Sequence, residues 1–93
     1  MNNYEIMYIL NPTLDEAGIK TVRAELEGYL TSNGAKIDSE DVWGLKELAY
    51  EMNKFNKGYY VVINVTAEPN AVNEFDRLAK INKSEIRHMI IAK

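Results

Sequence analysis

The chain has 93 residues, 46% of them hydrophobic, and a formal net charge of −3 at pH 7. This length predicts one small domain over residues 1–93 and excludes a second hydrophobic core. With no cysteine and one histidine, the composition excludes disulfides and thiolate metal sites, so we expect no metal and no cofactor. No apolar run approaches the ~20 residues that cross a bilayer, which predicts a cytoplasmic protein without a membrane contact.

The charge is unevenly distributed along the chain. Residues 77–93 hold five basic side chains and one acidic side chain, whereas residues 1–45 hold three basic and eight acidic side chains. A negative net charge has the wrong sign for a typical nucleic-acid binder. A local basic surface in the C-terminal part remains compatible with nucleic-acid binding.

The first two predicted elements are a strand and a helix. Residues 4–10 are rich in β-forming residues and end at Asn11-Pro12, which predicts a central strand. Thr13 and Glu16 then have the spacing of a capping box. Apolar residues recur at helical period before Asn33-Gly34, and they predict a helix over residues 14–32: Ile19, Val22, Leu26, Tyr29 and Leu30.

A long hairpin, a helix and a short strand follow. We predict a strand over residues 35–52 with a bulge at Gly44, a turn over residues 53–58, and a strand over residues 59–66. Pro69 suits the first turn of a helix that ends near Asn82, and a last strand covers residues 86–91. The order β-α-β-β-α-β is typical of an α+β fold with a four-stranded antiparallel sheet and both helices on one face.

Alternation along the strands predicts which side chains face the helices. The helix-covered set is Tyr4, Ile6, Tyr8, Leu10, Tyr59, Val61, Ile63 and Val65. The uncovered face would carry Glu5, Met7, Tyr60, Val62, Arg87 and Met89. Because this patch is too apolar to be left bare on a small soluble protein, we expect a partner to bind it through Tyr60, Val62 and Met89.

The densest motif is WGLKELAYEMNK at residues 43–54, followed by KGYY at residues 57–60. Its lysines alternate with aromatic side chains, a combination that suits RNA with accessible phosphates and unstacked bases. An ordinary solvated hairpin is the alternative, because Glu47 and Glu51 lie in the same stretch and tyrosines also fill strands for packing reasons. Arg87 similarly suits either a phosphate contact or a plain surface position.

The remaining candidate residues favour structural roles. His88 falls beside Ile86 and Ile90 on the covered face, which indicates a partly buried side chain and not a catalytic base. Trp43 beside Gly44 is more typical of a packed residue at a bulge than of a stacking platform or partner anchor. No phosphate-binding glycine loop or Ser-His-Asp set occurs, so we predict no catalytic residue and no enzyme. A regulatory domain that binds a small molecule on the same fold is the alternative.

The motif at residues 43–60, with Tyr4-Glu5 and Asn11-Pro12, resembles the signature of the bacterial ribosomal protein S6 family over essentially all 93 residues. The resemblance implies a ferredoxin-like, non-catalytic constituent of the small ribosomal subunit. It also implies binding to the central domain of 16S ribosomal RNA as a heterodimer with ribosomal protein S18, which assists subunit assembly, and it implies no small-molecule substrate. The RNA-binding residues would be Lys46, Tyr50, Lys54, Lys57 and Arg87.

Two departures from that family reduce the number of expected phosphate contacts. Many members have a basic pair after the glycine of the motif, where this chain has Leu45-Lys46-Glu47. Many also have basic residues at the N-terminus, where this chain has Asn2-Asn3.

Overall fold

The computed structural model describes residues 2–52 and 55–93, and it describes side chains for residues 2–48 and 56–93. The elements are β1 (Asn2–Leu10), α1 (Glu16–Thr31), β2 (Lys36–Met52), β3 (Phe55–Ala67), α2 (Pro69–Ile81) and β4 (Glu85–Ala92). This order confirms the predicted α+β, ferredoxin-like βαββαβ arrangement.

The four strands form one antiparallel sheet in the order β2-β3-β1-β4. The apolar strand β1 lies at its centre, as predicted. It pairs with β3 without interruption from Asn2↔Ala67 to Leu10↔Tyr59. On its other side it pairs with β4 from Tyr4↔Ala92 to Ile9↔Arg87, and the register shifts only between Ile9 and Leu10.

Both helices pack on the same face of the sheet and enclose the core. The predicted alternation is confirmed, since the fully buried strand residues are Ile6, Tyr8, Leu10, Val61, Ile63, Val65 and Ala67. The helices contribute Val22, Leu26, Leu30, Ala71, Val72, Phe75 and Ala79. Tyr4 and Tyr59 are partly buried against this cluster. The hydrophobic effect of burying these side chains holds the two layers together.

The N-terminal cap of α1 differs from the prediction. The cap is Asp15, whose carboxylate accepts a hydrogen bond from the Gly18 N–H at 2.7 Å. Thr13 instead donates its N–H and its hydroxyl to the Asn11 side-chain oxygen, at 2.9 and 2.6 Å. The Asx turn at Asn11 holds Thr13 outside the helix, so an aspartate two residues later takes the cap. The predicted stop at Gly34 is confirmed by its φ of 85°.

The hairpin between β2 and β3 is longer than the sequence predicts. The bulge at Gly44 is confirmed by its φ of 81° and by a register shift between Val42 and Gly44. The turn predicted over residues 53–58 is wrong for residues 55–58, because β3 already begins at Phe55, opposite Met52, while residues 53 and 54 lie outside the described residues. Gly58 lies inside that strand and not in a turn, and a Cβ atom on it would come within 2.3 Å of Ile9 Cγ2. Close packing, and not a turn, requires glycine there.

Candidate functional site

The side of the sheet that faces away from the helices is called here the open sheet face. Its residues follow from the strand register and from side-chain contacts: Glu5, Met7, Ile9, Asp41, Trp43, Lys46, Tyr60, Val62, Asn64, Arg87, Met89 and Ile91. All six residues that the sequence assigns to the uncovered face are in this set. Alternation in β1, β3 and β4 is sufficient to place them, because the register between these strands is uninterrupted at these positions.

Two stacked aromatic rings occupy one end of the open sheet face. The rings of Trp43 and Tyr60 are 6.2 Å apart with an interplanar angle of 11°. The indole N–H of Trp43 donates to the Asp41 carboxylate at 3.0 Å, and the Lys46 ammonium lies 5.7 Å from the centre of the Trp43 ring. This distance is suitable for a cation–π interaction.

The bulge at Gly44 brings Trp43 beside Tyr60. The extra residue changes the alternation of β2, so that Asp41 lies opposite Val62 while Gly44 lies opposite Tyr60. Trp43 packs at the bulge as predicted, yet 45% of its surface remains exposed. The site predicted from the sequence does not include it; a tryptophan next to a bulge glycine is the signal that could have found it.

The predicted basic residues are only partly brought together. Arg87 lies opposite Ile9, which lies opposite Tyr60, so a row of side chains crosses the sheet from β4 to β2. Three strand spacings span this row, which is roughly 14 Å. Lys46 lies opposite Gly58 at the same end of the open sheet face. Lys46 and Arg87 therefore flank the aromatic pair.

Of the three other predicted RNA-binding residues, the described one, Lys57, does not join this group. Lys57 is exposed and lies opposite Glu47, in the pair next to Lys46–Gly58. Because side chains alternate between the two faces along a strand, Lys57 projects from the opposite side of the hairpin. Lys54 and the side chain of Tyr50 lie outside the described residues.

The predicted partner-binding residues differ in how much surface they offer. Met89 is 45% exposed, and its neighbour Ile91, which the sequence-based prediction does not include, is 48% exposed. Tyr60 is partly buried. Val62 is only 7% exposed, with Met7 and Asp41 as its cross-strand neighbours. On this face the exposed apolar surface therefore lies on β4, at Met89 and Ile91, while Trp43 is exposed separately on β2 at the opposite edge of the sheet.

On the covered face, a charged cluster joins α1 to the edge of β2. Arg23 forms an ion pair with Glu40. Burial, and secondarily a hydrogen bond with Glu40, raises the pKa of Glu27 to about 7. The same hydrogen bond, together with Arg23, lowers the pKa of Glu40. Burial also raises the pKa of the neighbouring Tyr8 hydroxyl, and the guanidinium of Arg23 opposes this only in part.

A second charged cluster joins α2 to β4 around His88. Its Nδ1 lies 2.5 Å from a Glu85 oxygen, its Nε2 lies 2.6 Å from an Asp76 oxygen, and its ring meets Phe75 edge-on at 5.4 Å. The hydrogen bond with Glu85 and then that with Asp76 raise the pKa of His88 against the opposing effect of burial. The side chain is only 7% exposed, which confirms the predicted partly buried position.

Metal sites and membrane spans can be assessed only for the described ranges. Among the side chains of residues 2–48 and 56–93, no three His, Asp or Glu are placed to hold a metal ion. Neither of the two described helices is long and apolar enough to cross a membrane.

Comparisons with known proteins agree with this architecture. The family model for ribosomal protein S6 matches residues 3–92. The crystal structure of the 30S ribosomal protein S6 from Thermotoga maritima superimposes with a TM-score of 0.93 at 25% identity, over 99% of this chain and 87% of that one. An amidase of the hydantoinase/carbamoylase family from Burkholderia phymatum matches with a TM-score of 0.41 at 16% identity, over 99% of this chain and 27% of its own, which is too remote to bear on function.

Proposed function

Because the chain belongs to the ribosomal protein S6 family and is thus a structural component of the small subunit of the cytoplasmic ribosome, we propose that it binds the central domain of 16S ribosomal RNA as a heterodimer with ribosomal protein S18. In this role it assists assembly of the subunit. The observation that carries the proposal is the composition of the open sheet face, which combines an exposed apolar strip with two cations beside stacked aromatic rings.

The apolar strip supports the protein contact. Met89 and Ile91 lie side by side on β4 and form this strip. Aromatic and aliphatic side chains of this kind are typical anchors of protein interfaces. The proposed contact with S18 is therefore centred on Met89 and Tyr60. Val62 lies on the same face, two residues from Tyr60 on β3, and is largely buried there.

The cations at one end of the same face support the RNA contact. Lys46 and Arg87 flank the Trp43–Tyr60 pair. Phosphates can bind the two cations, and an unstacked base can lie on an exposed ring. Lys54, Lys57 and Tyr50 remain part of the proposed RNA contact; since Lys57 projects from the other side of the hairpin, the RNA would have to contact both sides of it. Since the net charge is −3, non-specific attraction to RNA is weak, and the partner has to supply part of the binding surface.

The test is a binding titration of a central-domain 16S RNA fragment with the chain alone, with S18 alone and with both. We expect weak binding by the chain alone and a steep gain in affinity when S18 is added. Tight, specific RNA binding by the chain alone would contradict the heterodimer.

Two substitutions test the docking face. Tyr60→Ala and Met89→Ala should each weaken the complex with S18 at least tenfold while the thermal unfolding remains cooperative, because both side chains lie outside the helix-covered core. Ile81→Ala is the matched control, since Ile81 is exposed at the end of α2 and away from the open sheet face. Equal losses for Ile81→Ala and Met89→Ala would place the S18 contact elsewhere.

A further inference from the structure

Three charged side chains join helix α1 to the edge strand β2. Arg23 and Glu27 are four residues apart and therefore lie on the same side of α1. Both reach Glu40 on β2, Arg23 through an ion pair and Glu27 through a side-chain hydrogen bond. The next charged group on that side of α1, Lys20, is exposed. Arg23, Glu27 and Glu40 are called here the α1–β2 latch.

The latch lies where the helices cease to cover the sheet. On the covered face of β2, Ile37 is packed against the core, whereas Val42 is 43% exposed and Leu45 is 56% exposed. Both exposed residues lie opposite covered-face residues of β3. Glu40 lies between Ile37 and these two residues, so the latch holds β2 to α1 at the point where apolar packing stops.

The latch depends on a single proton. A carboxylate can only accept a hydrogen bond, so a hydrogen bond between Glu27 and Glu40 requires a proton on one of them. Arg23 is paired with Glu40 and favours its charged form, which leaves the proton on Glu27. Burial, and then the hydrogen bond, raises the pKa of Glu27 to about 7, while the same hydrogen bond lowers the pKa of Glu40.

Other titratable groups on the adjoining elements do not compete for this proton. They are Tyr8 on β1, Asp38 and Asp41 on β2, His88 on β4 and Asp76 on α2. Burial raises the pKa of Tyr8 well above its usual value. Asp38 and Asp41 accept hydrogen bonds on the open sheet face, and Asp76 is bonded to His88. From β3, the apolar Ile63 lies opposite Glu40.

We infer that Arg23, Glu27 and Glu40 form a proton-operated latch that sets how firmly the edge strand β2 is held to α1. With a proton on Glu27, the helix holds Glu40 through two bonds. Loss of this proton to water places two negative carboxylates side by side, so Glu27 turns out to solvent and Arg23 alone remains bonded. Water then reaches Arg23 Nε and the Tyr8 hydroxyl, which are buried without a hydrogen bond of normal geometry among the described residues. The inference does not depend on the proposed binding of S18 or RNA.

The test compares the wild type with Glu27→Gln, whose amide donates to Glu40 as protonated Glu27 does but cannot ionise. NMR from pH 5 to 8.5 follows the Glu27 carboxyl shift and the exchange of Arg23 Nε–H with water. We expect the wild-type carboxyl to titrate near pH 7, in line with its raised pKa. At pH 8, Arg23 Nε–H should exchange at least tenfold faster in the wild type than in Glu27→Gln, whereas at pH 5.5 the two rates should agree within about twofold. Comparison at equal pH removes the intrinsic effect of pH on exchange.

Two further variants complete the test. Glu16→Gln removes an exposed carboxylate at the start of the same helix and should keep the wild-type profile. Glu40→Gln, which also serves if Glu27→Gln does not fold, supplies a donor without a shared proton and should return the pKa of Glu27 towards its ordinary value. The inference is overturned if wild-type Glu27 titrates as an exposed glutamate does, if the wild type and Glu27→Gln exchange equally at pH 8, or if Glu16→Gln abolishes the transition.

Discussion

Gly58 lies in β3, and its neighbour on β1 leaves no room for a side chain. A Cβ atom would be 2.3 Å from Ile9 Cγ2, a branched atom that cannot move away independently. Gly58→Ala should therefore destabilise the fold by about 1–3 kcal/mol through overpacking, measured by urea unfolding.

Gly28→Ala is the matched control for that prediction. Gly28 lies in α1, and apart from the backbone of the helix itself no atom lies within 4 Å of the place that a Cβ atom would take. Alanine there should stabilise the protein by about 0.5–1 kcal/mol because it favours the helix. If Gly58→Ala were neutral, the packing of Ile9 against β3 would be looser than the geometry indicates.

His88 predicts a defined dependence of stability on pH. Its pKa is raised from 6.5 by Glu85 and then by Asp76, so the stabilisation from its charged form is complete below about pH 6.5 and is lost as the pH rises through the raised pKa. The pKa of Asp76 is lowered from 3.8 by His88 and Lys80, so its contribution is lost as the pH falls through that lowered value. The cluster should stabilise the fold most between about pH 4 and 6.5.

The measurement compares the free energy of unfolding of the wild type and His88→Gln from pH 4 to 9. The difference should be largest near pH 5.5, at about 1–3 kcal/mol, and should shrink above pH 7. The raised pKa of Glu27 also makes the wild type less stable as the pH rises, but it acts equally in both proteins and cancels in the difference. A difference that does not change with pH would mean that His88 remains neutral.

At the scale of an element, the bulge in β2 decides what the open sheet face presents. Gly44 has a φ of 81°, a backbone conformation that is strained for any residue with a Cβ atom. Gly44→Ala should cost about 1–2 kcal/mol, while Gly44→Asn should cost less because asparagine tolerates this conformation better. Both are measured by urea unfolding.

The same two variants report on Trp43. If the bulge positions the indole on Tyr60, Gly44→Ala should change the fluorescence of Trp43, the only tryptophan in the chain. Gly44→Asn should leave the emission closer to that of the wild type. Identical stability and emission for the two variants would show that the positive φ is not required.

At the scale of the whole molecule, the net charge is −3, so binding to RNA depends on where the individual cations lie. Replacing Lys46 and Arg87 together with Ala should weaken binding of the heterodimer to RNA and reduce the slope of log affinity against log salt by roughly 0.7–0.9 for each lost phosphate contact. The fold should be retained, because exposed side chains at unspecialised sites change stability by only about 0.5 kcal/mol.

Lys36→Ala is the matched control, since Lys36 is an exposed lysine at the opposite end of β2, opposite Thr66. It should leave both affinity and salt slope near the wild-type values. If the double variant behaved like this control, the RNA contact would lie away from the Trp43–Tyr60 pair, and the basic residues Arg77, Lys80 and Lys83 would be tested next.

The order of elements and the two faces of the sheet could be predicted from the sequence by itself. Apolar residues at periods of two and 3.6 identified the strands and helices, because burying one side of each element requires that spacing. Alternation in β3 and β4 also placed Tyr60, Val62 and Met89 on the open sheet face. The motif at residues 43–60 identified the family, and a bulge was already indicated by Gly44.

Only the tertiary structure decided which side chains meet across elements. Three contacts join residues that are 12 to 49 positions apart in the chain: Trp43 with Tyr60, Asp76 with His88, and Ile9 with Gly58. Glu85, the second carboxylate at His88, is only 3 positions away from it. Local periodicity states which face a residue occupies, but not its distance from a residue on another element. Those distances depend on register, bulges and helix packing, which are settled only when the whole core is assembled.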